Sequence, residues 1–164
     1  PFRPMGMGSR SHDGEGLPVQ ETHLIDNGRL TSWLLNSSSA RQLGMEPNGF
    51  SALGFGDPPG VTTSNLYLKA GDKTPGELVK GAGKGLLVTD MFGPSINPNN
   101  GDYSVGVSGF WFEAGEIAYP VSEVTIAGDL PSMFARLIPA SDLEFRGTRD
   151  APSILIEDMS LAGS

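Results

Sequence analysis

The side chains able to break bonds are few in this chain and poorly spaced for it. It has two histidines, His12 and His23, and no cysteine. Neither histidine lies in an H-E-x-x-H arrangement, where one helix turn would aim two imidazoles at a zinc ion. Two imidazoles and a carboxylate can in principle hold a metal, but His12 falls in a polar stretch and His23 on a strand face. A serine nucleophile needs a base and an oxyanion hole. Gly106-Val107-Ser108-Gly109-Phe110 lacks the last glycine of G-x-S-x-G and has no strand-turn-helix context, so it reads as a structural turn. Gly81-Ala82-Gly83-Lys84-Gly85 has the glycines of a phosphate loop. It lacks the Ser or Thr after the lysine, and it precedes a strand instead of opening a helix. It reads as a helix stop. Asn97 to Asp102 has the look of a calcium loop, but Pro98 and Ser108, at the twelfth position, do not suit one. An Asx-rich turn fits better. Glu113 and Glu116 flank a hairpin turn and read as solvated. No catalytic residue and no metal ligand is assigned.

Composition narrows the classes further. The chain has 164 residues, enough for one domain with its own core. Charged residues make up 18%, and 23 glycines with 13 prolines favour short strands and many turns. Eleven Lys and Arg stand against 19 Asp and Glu, for a net charge of −8. No basic stripe is present to neutralise phosphates, so direct nucleic-acid binding is not expected. No run reaches the roughly 18 apolar residues of a membrane span. No basic segment followed by an apolar one opens the chain as a secretory signal would. With the missing cysteines, this makes a cytoplasmic location the expectation. The chain starts at Pro1, which suggests processing or a piece of something longer.

The elements that must position these residues follow from local patterns. Residues 1–18 read as an extended lead-in or loop. Asn27-Gly28 between apolar runs predicts a hairpin pairing Ile25 with Leu30 and His23 with Ser32. Ser37 to Leu43 predicts a two-turn helix with a serine N-cap, stopped at Gly44. Residues 46–64 read as a long loop, of the kind that is functional or disordered. Asn65 to Ala70 reads as a strand. Thr74-Pro75-Gly76-Glu77 is a capping box opening a helix that runs to about Gly81. Leu86 to Met91 and Tyr103 to Phe112 read as strands separated by a turn cluster at 94–102. Ala114-Gly115 predicts a second hairpin pairing Phe112 with Ile117 and Phe110 with Tyr119, through a longer bulged turn because Ala disfavours positive φ. Side-chain parity breaks near Ser122, which predicts a bend or bulge. Leu130 to Ile138 reads as a helix capped by Asp129, and Ser153 to Glu157 as a closing strand. The expectation is a mainly β, α+β fold: an antiparallel, strongly curved sheet or barrel-like sandwich of about seven strands, with about three short helices. Phe110, Trp111 and Phe112 are expected to anchor its core.

GDYSVGVSGFWFEAGEIAYPVSEVTIAGDL (Gly101 to Leu130) resembles the C-terminal domain of the TldD/PmbA family, in its PmbA or TldE branch. GRLTSWLLNSSSARQLG, SNLYLKAGDKTPGELV, GLLVTDMFG and DLEFRGTRDAPSILIEDMSLAGS extend the resemblance from about Val19 to the end. The resemblance implies that residues 1–164 are a single C-terminal domain whose N-terminal partner domain lies outside this sequence. It also implies a cytoplasmic TldD–TldE protease acting on unfolded peptides. In that protease the TldD-type subunit supplies an H-E-x-x-x-H helix from one domain and a Cys ligand from the other. Here the corresponding tail, DLEFRGTRDAPS, has no Cys. No cofactor is therefore expected in this chain, and zinc is expected on a TldD-like partner. The family's label as a modulator of DNA gyrase does not imply DNA contact by so acidic a chain.

The expected role is a non-catalytic subunit domain that shapes the dimer and the substrate chamber. The expected partners are a TldD-like subunit or a second copy, together with unfolded peptide, and neither nucleic acid nor membrane. Peptide could be held as an added strand, since backbone pairing tolerates varied sequence. The candidate groove residues are Gly101, Asp102, Tyr103, Ser104, Gly106, Ser108 and Gly109. The bland alternative is that these glycines only let the sheet curve. A homo-oligomeric scaffold or peptide-binding module without a peptidase role is the other functional reading.

Overall fold

The computed structural model describes residues 5–163. In chain order these form β1 (Ile25–Asp26), β2 (Arg29–Leu30), α1 (Ser37–Leu43), β3 (Ser51–Ala52), β4 (Gly60–Val61), β5 (Leu66–Tyr67), α2 (Pro75–Ala82) and β6 (Gly85–Ile96). There follow β7 (Asp102–Glu113), β8 (Glu116–Asp129), α3 (Leu130–Ala135), β9 (Leu137–Pro139), β10 (Arg149–Asp150), β11 (Ile154–Ile156) and β12 (Ser160–Ala162). The mainly β class with three short helices is as expected. The sheets are open and antiparallel, apart from the parallel pair β5–β10. Two compact units emerge: Pro1–Leu68 with Glu144–Ala151, and Lys69–Leu143 with Pro152–Ser164.

The first unit holds two-residue strand pairs, and Leu35, Ala40 and Phe50 are buried in it. The Asn27-Gly28 turn forms, with Asn27 at φ 48° and Gly28 at φ 76°, and it pairs Ile25 with Leu30. His23 and Ser32 do not pair as foreseen. Instead the Thr31 hydroxyl donates to the His23 carbonyl at 2.6 Å. Helix α1 forms, but its cap is Asn36, whose side chain accepts from Ser39 N at 2.8 Å. The same Asn36 amide donates to Pro59 O at 2.6 Å, which pins the far loop. That loop is not structureless, since β3 and β4 pair within it. The expected strand 65–70 shrinks to Leu66–Tyr67.

Of the lead-in, residues 1–4 lie outside the described residues. The rest is loop, the second of the two readings: it folds back through a His12–Pro18 bridge around buried Asp13. The Asp13 carboxylate accepts from Glu15 N and Leu17 N, each at 2.9 Å, and from Ser51 N at 3.0 Å. Burial alone would push its pKa up. The three backbone hydrogen bonds and the charge of Arg10 outweigh that and hold the carboxyl below the ordinary aspartate value. A depressed folded-state pKa contributes stability that is complete above the unfolded value and is lost as pH falls through the folded value. Asp13→Asn is expected to cost about 1–3 kcal/mol at neutral pH, because N–H groups lose a charged acceptor. Urea unfolding across pH should show that margin shrinking below about pH 4.

The second unit is organised by the sheet β12-β8-β7-β6. Val105, Val107 and Val124 form its buried centre, with Leu86, Val88, Tyr103, Val121 and Ile126 packed against them. Gly106 to Phe110 runs through the middle of β7, so it is strand and not a turn. Two departures from expectation concern boundaries, and a third a whole strand. Strand β6 continues to Ile96, which leaves only 97–101 as turn. Helix α3 stops at Ala135, because Leu137–Pro139 pair with Ile154–Ile156 instead of extending it. Strand β12 was not foreseen. The Ala114-Gly115 turn is a tight two-residue one, with Ala114 at φ 51° and Gly115 at φ 78°. Gly115 N donates to Gly83 O at 2.9 Å, which helps hold a conformation that Ala alone disfavours. The irregularity foreseen in this turn lies just beyond it: Phe112 pairs with Ile117 as expected, but Trp111 takes Tyr119, and Phe110 takes Pro120. The parity break at Ser122 is a bulge in which Ser122 and Glu123 together face Ser108, with Glu123 at φ 57°.

Candidate functional site

The candidate groove residues lie on β7 and its leading turn, in the second unit. The turn is tied by its own polar groups. Asn97 N donates to Asp102 O at 2.9 Å and Gly101 N to Asn97 O at 2.8 Å. The Asn100 amide donates to the Asp102 carboxylate at 2.6 Å. The Gly101 carbonyl accepts from Leu130 N at 2.9 Å, which joins the turn to the start of α3. Asp129 caps that helix through Ser132 N at 3.1 Å, and its bonds to Ser132 hold its carboxyl below the ordinary value.

An open depression of about 430 Å³ lies at this end of the sheet, lined by Ser95, Asn97, Asp102, Tyr103, Ser104, Ala127 and Gly128. It brings together Asp102, Tyr103 and Ser104 of the foreseen set, with Gly101 in the turn beside it. Gly106, Ser108 and Gly109 are not part of it. The Phe92 ring lies across Gly106, where a Cβ would collide with it. Gly109 lets the β6 backbone approach: a Cβ there would strike the Leu87 carbonyl oxygen. The Ser108 carbonyl accepts from the Thr89 hydroxyl at 3.3 Å. At Gly106 and Gly109 the missing side chain makes room for the Phe92 ring and the β6 backbone.

The topology also corrects how a peptide could add. Strand β7 pairs with β6 on one side and β8 on the other over nearly its whole length. Its backbone groups are used up, so strand addition at Gly101–Gly109 has no free partner. The free edge on that side of the sheet belongs to β6, next to Ser95 of the depression. There Met91, Phe92 and Ile96 stand exposed. Ser95, Asn97, Ala127 and Gly128 were missed in the sequence. Ser95 and Asn97 sat in a stretch read as turn, and nothing in Ala127-Gly128 signals a wall.

The depression offers hydroxyls, an amide and one carboxylate, which suit hydrogen bonding to a polypeptide. It has no imidazole to serve as a base, and neither histidine belongs to this unit. Both histidines are exposed, and His12 Nδ1 lies 3.0 Å from the Ser11 hydroxyl. Among the described residues no three of His, Cys, Asp and Glu gather as a metal site. The described residues do not fit a zinc centre.

A family model described as the PmbA/TldA metallopeptidase C-terminal domain matches residues 1–163. The chain is 37% identical over 159 residues to a protein named metalloprotease PmbA from Escherichia coli O157:H7, covering 96% of this chain and 33% of that one. It is 39% identical over 159 residues to a PmbA homologue from Haemophilus influenzae, covering 96% and 34%. Thus the chain spans about a third of the length of the curated relatives it matches. Among solved structures, a Thermotoga maritima protein named for modulation of a DNA gyrase superposes with a TM-score of 0.85 at 33% identity, over 98% of this chain and 37% of that one. TldE from Thermococcus kodakarensis shares the fold, with a TM-score of 0.85 at 24% identity, over 99% of this chain and 38% of that one. The chain belongs to the PmbA/TldA metallopeptidase family and matches its C-terminal domain.

Proposed function

We propose that this chain is a non-catalytic subunit domain of a TldD–TldE type cytoplasmic metallopeptidase. In this reading it shapes a dimer and holds unfolded peptide for a zinc-bearing, TldD-like partner. The observation that carries the reading is the chain's own chemistry within a metallopeptidase family. It has two exposed histidines and no cysteine, and the open polar depression on its sheet holds no imidazole. Such a surface offers hydrogen bonds to a polypeptide, while no metal-binding cluster gathers beside its carboxylate among the described residues.

The peptide pairs with the β6 edge upstream of Pro94, at Val88–Phe92, through the backbone groups that point away from β7. Its side chains then meet exposed Met91 and Phe92. Pro94 has no N–H to offer and ends the pairing. Hydrogen exchange of the full-length protein with excess unfolded, apolar peptide tests this. The amides of Val88 to Phe92 that point away from β7 should slow on binding, while those of β7, already bonded on both sides, stay unchanged. Bound peptide with unaltered β6 exchange would move the site elsewhere.

A further inference from the structure

Three Asn-Gly dipeptides occur in the chain, at Asn27-Gly28, Asn48-Gly49 and Asn100-Gly101. In any unfolded polypeptide such a pair is chemically labile. Glycine has no side chain to shield its amide nitrogen or to restrict its backbone. The glycine nitrogen attacks the asparagine Cγ, an N–Cγ bond forms, and the Cγ–NH2 bond breaks. The amide proton leaves with the nitrogen as ammonia, and a cyclic imide remains. Water then opens the ring to aspartate or to isoaspartate, with no change of oxidation state. The local sequence is the same in all three, so the fold decides which one reacts.

Asn48 is locked. Its carbonyl oxygen accepts from Leu35 N at 3.0 Å, and its amide donates to Ser32 Oγ at 3.1 Å and Trp33 O at 2.8 Å. Gly49 is buried against the Pro18–Val19 backbone. Neither the Cγ nor the attacking nitrogen can move without breaking these contacts. Asn100 is exposed, but its nucleophile is engaged, since Gly101 N donates to Asn97 O at 2.8 Å. Its side chain is held at both ends by Asp102, through its backbone N–H at 3.1 Å and its carboxylate at 2.6 Å. Asn27 differs on each count. Asn27 and Gly28 are both exposed, and the one side-chain bond, Asn27 amide to Asp26 carboxylate at 3.1 Å, is at the surface. The hairpin they close has two residues in each strand, all exposed, and forms a sheet by itself. Two-stranded hairpins are marginal in water, so this tip opens easily.

We infer that Asn27 is a site of spontaneous modification to aspartate and isoaspartate, while the fold protects Asn48 and Asn100. The isoaspartate product adds a backbone methylene inside a two-residue turn, which unseats the Ile25–Leu30 pair. Either product adds a negative charge beside Asp26.

The test is to incubate the purified full-length protein in mildly alkaline buffer and follow all three sites by peptide mapping, with fragmentation that separates aspartate from isoaspartate. The same is done in concentrated urea. In the folded protein Asn27 should convert at least about tenfold faster than Asn48 or Asn100, because local openings cost least at exposed turns. In urea the three rates should converge. Equal rates in the folded protein, a faster Asn48 or Asn100, or an inert Asn27 beside a reactive unfolded chain would each overturn the inference.

Discussion

Gly109→Ala is expected to be the most damaging single substitution in the four-stranded sheet. The added Cβ would land on the Leu87 carbonyl oxygen, with Leu87 C at 2.9 Å and Val88 Cα at 3.0 Å. All three atoms are backbone, so no rotamer change relieves the clash. Strand β7 cannot slide away either, because Gly109 is paired to Val88 on one side and Val121 on the other. The ladder must open next to Val107, which is fully buried. A forced backbone shift of this kind is expected to cost about 3–5 kcal/mol, at the upper end of single substitutions. Gly60→Ala is the control, since a Cβ there meets nothing within 4 Å. It should stay within about 0.5 kcal/mol of the parent. Urea unfolding measures both. A loss under about 1 kcal/mol for Gly109→Ala would mean that the β6–β7 approach is looser than described.

Phe112→Ala should be nearly as costly, and Phe110→Ala should not be. Phe112 is 4% exposed, and its ring fills the space a side chain at Gly85 would take, with its tip 2.8 Å from that position. Truncation leaves a cavity and loses a whole aromatic surface, for about 3–5 kcal/mol. Phe110 is 38% exposed, so part of its transfer energy is never gained and truncation opens to solvent instead of leaving an enclosed cavity; about 1–2 kcal/mol is the expected loss. Trp111 lies between them, with Nε1 donating to the Glu113 carboxylate at 3.0 Å at the surface. The three aromatics are thus not one core cluster, as adjacency in sequence suggested. Equal losses for Phe112→Ala and Phe110→Ala would contradict this ordering.

Local signals carried much of this fold. The Asn27-Gly28 turn, the Thr74 capping box and the Asp129 cap are short-range chemistry, and each formed where its residues stand. The phase break at Ser122 was legible because a bulge shifts side-chain parity along a single strand. Non-local pairing was hidden. Nothing in Leu137-Ile138-Pro139 says that it leaves a helical pattern to meet Ile154–Ile156 across a loop. Ser160–Ala162 is too short to announce itself, and it is defined only by pairing with Thr125–Ala127. The candidate site suffered from the same limit. Glycines at 106 and 109 flagged a close approach in the sequence, yet only the strand order shows that β6 is what approaches. That order also moves the free edge from β7 to β6. Asp102, Tyr103 and Ser104 were found because they adjoin a turn, whereas Ala127 and Gly128 reach the depression only through pairing with Ser104 and Tyr103.

The central claim is that this domain serves a metallopeptidase without carrying its metal chemistry. The direct measurement is cleavage of an unfolded peptide by the full-length protein, alone and mixed with a TldD-like subunit from the same cell, with and without a chelator. The account predicts cleavage only in the mixture, and its loss on chelation. Cleavage by the protein alone would contradict it by revealing a catalytic site of its own. Absence of both complex and cleavage in every mixture would contradict it in favour of a self-associating scaffold.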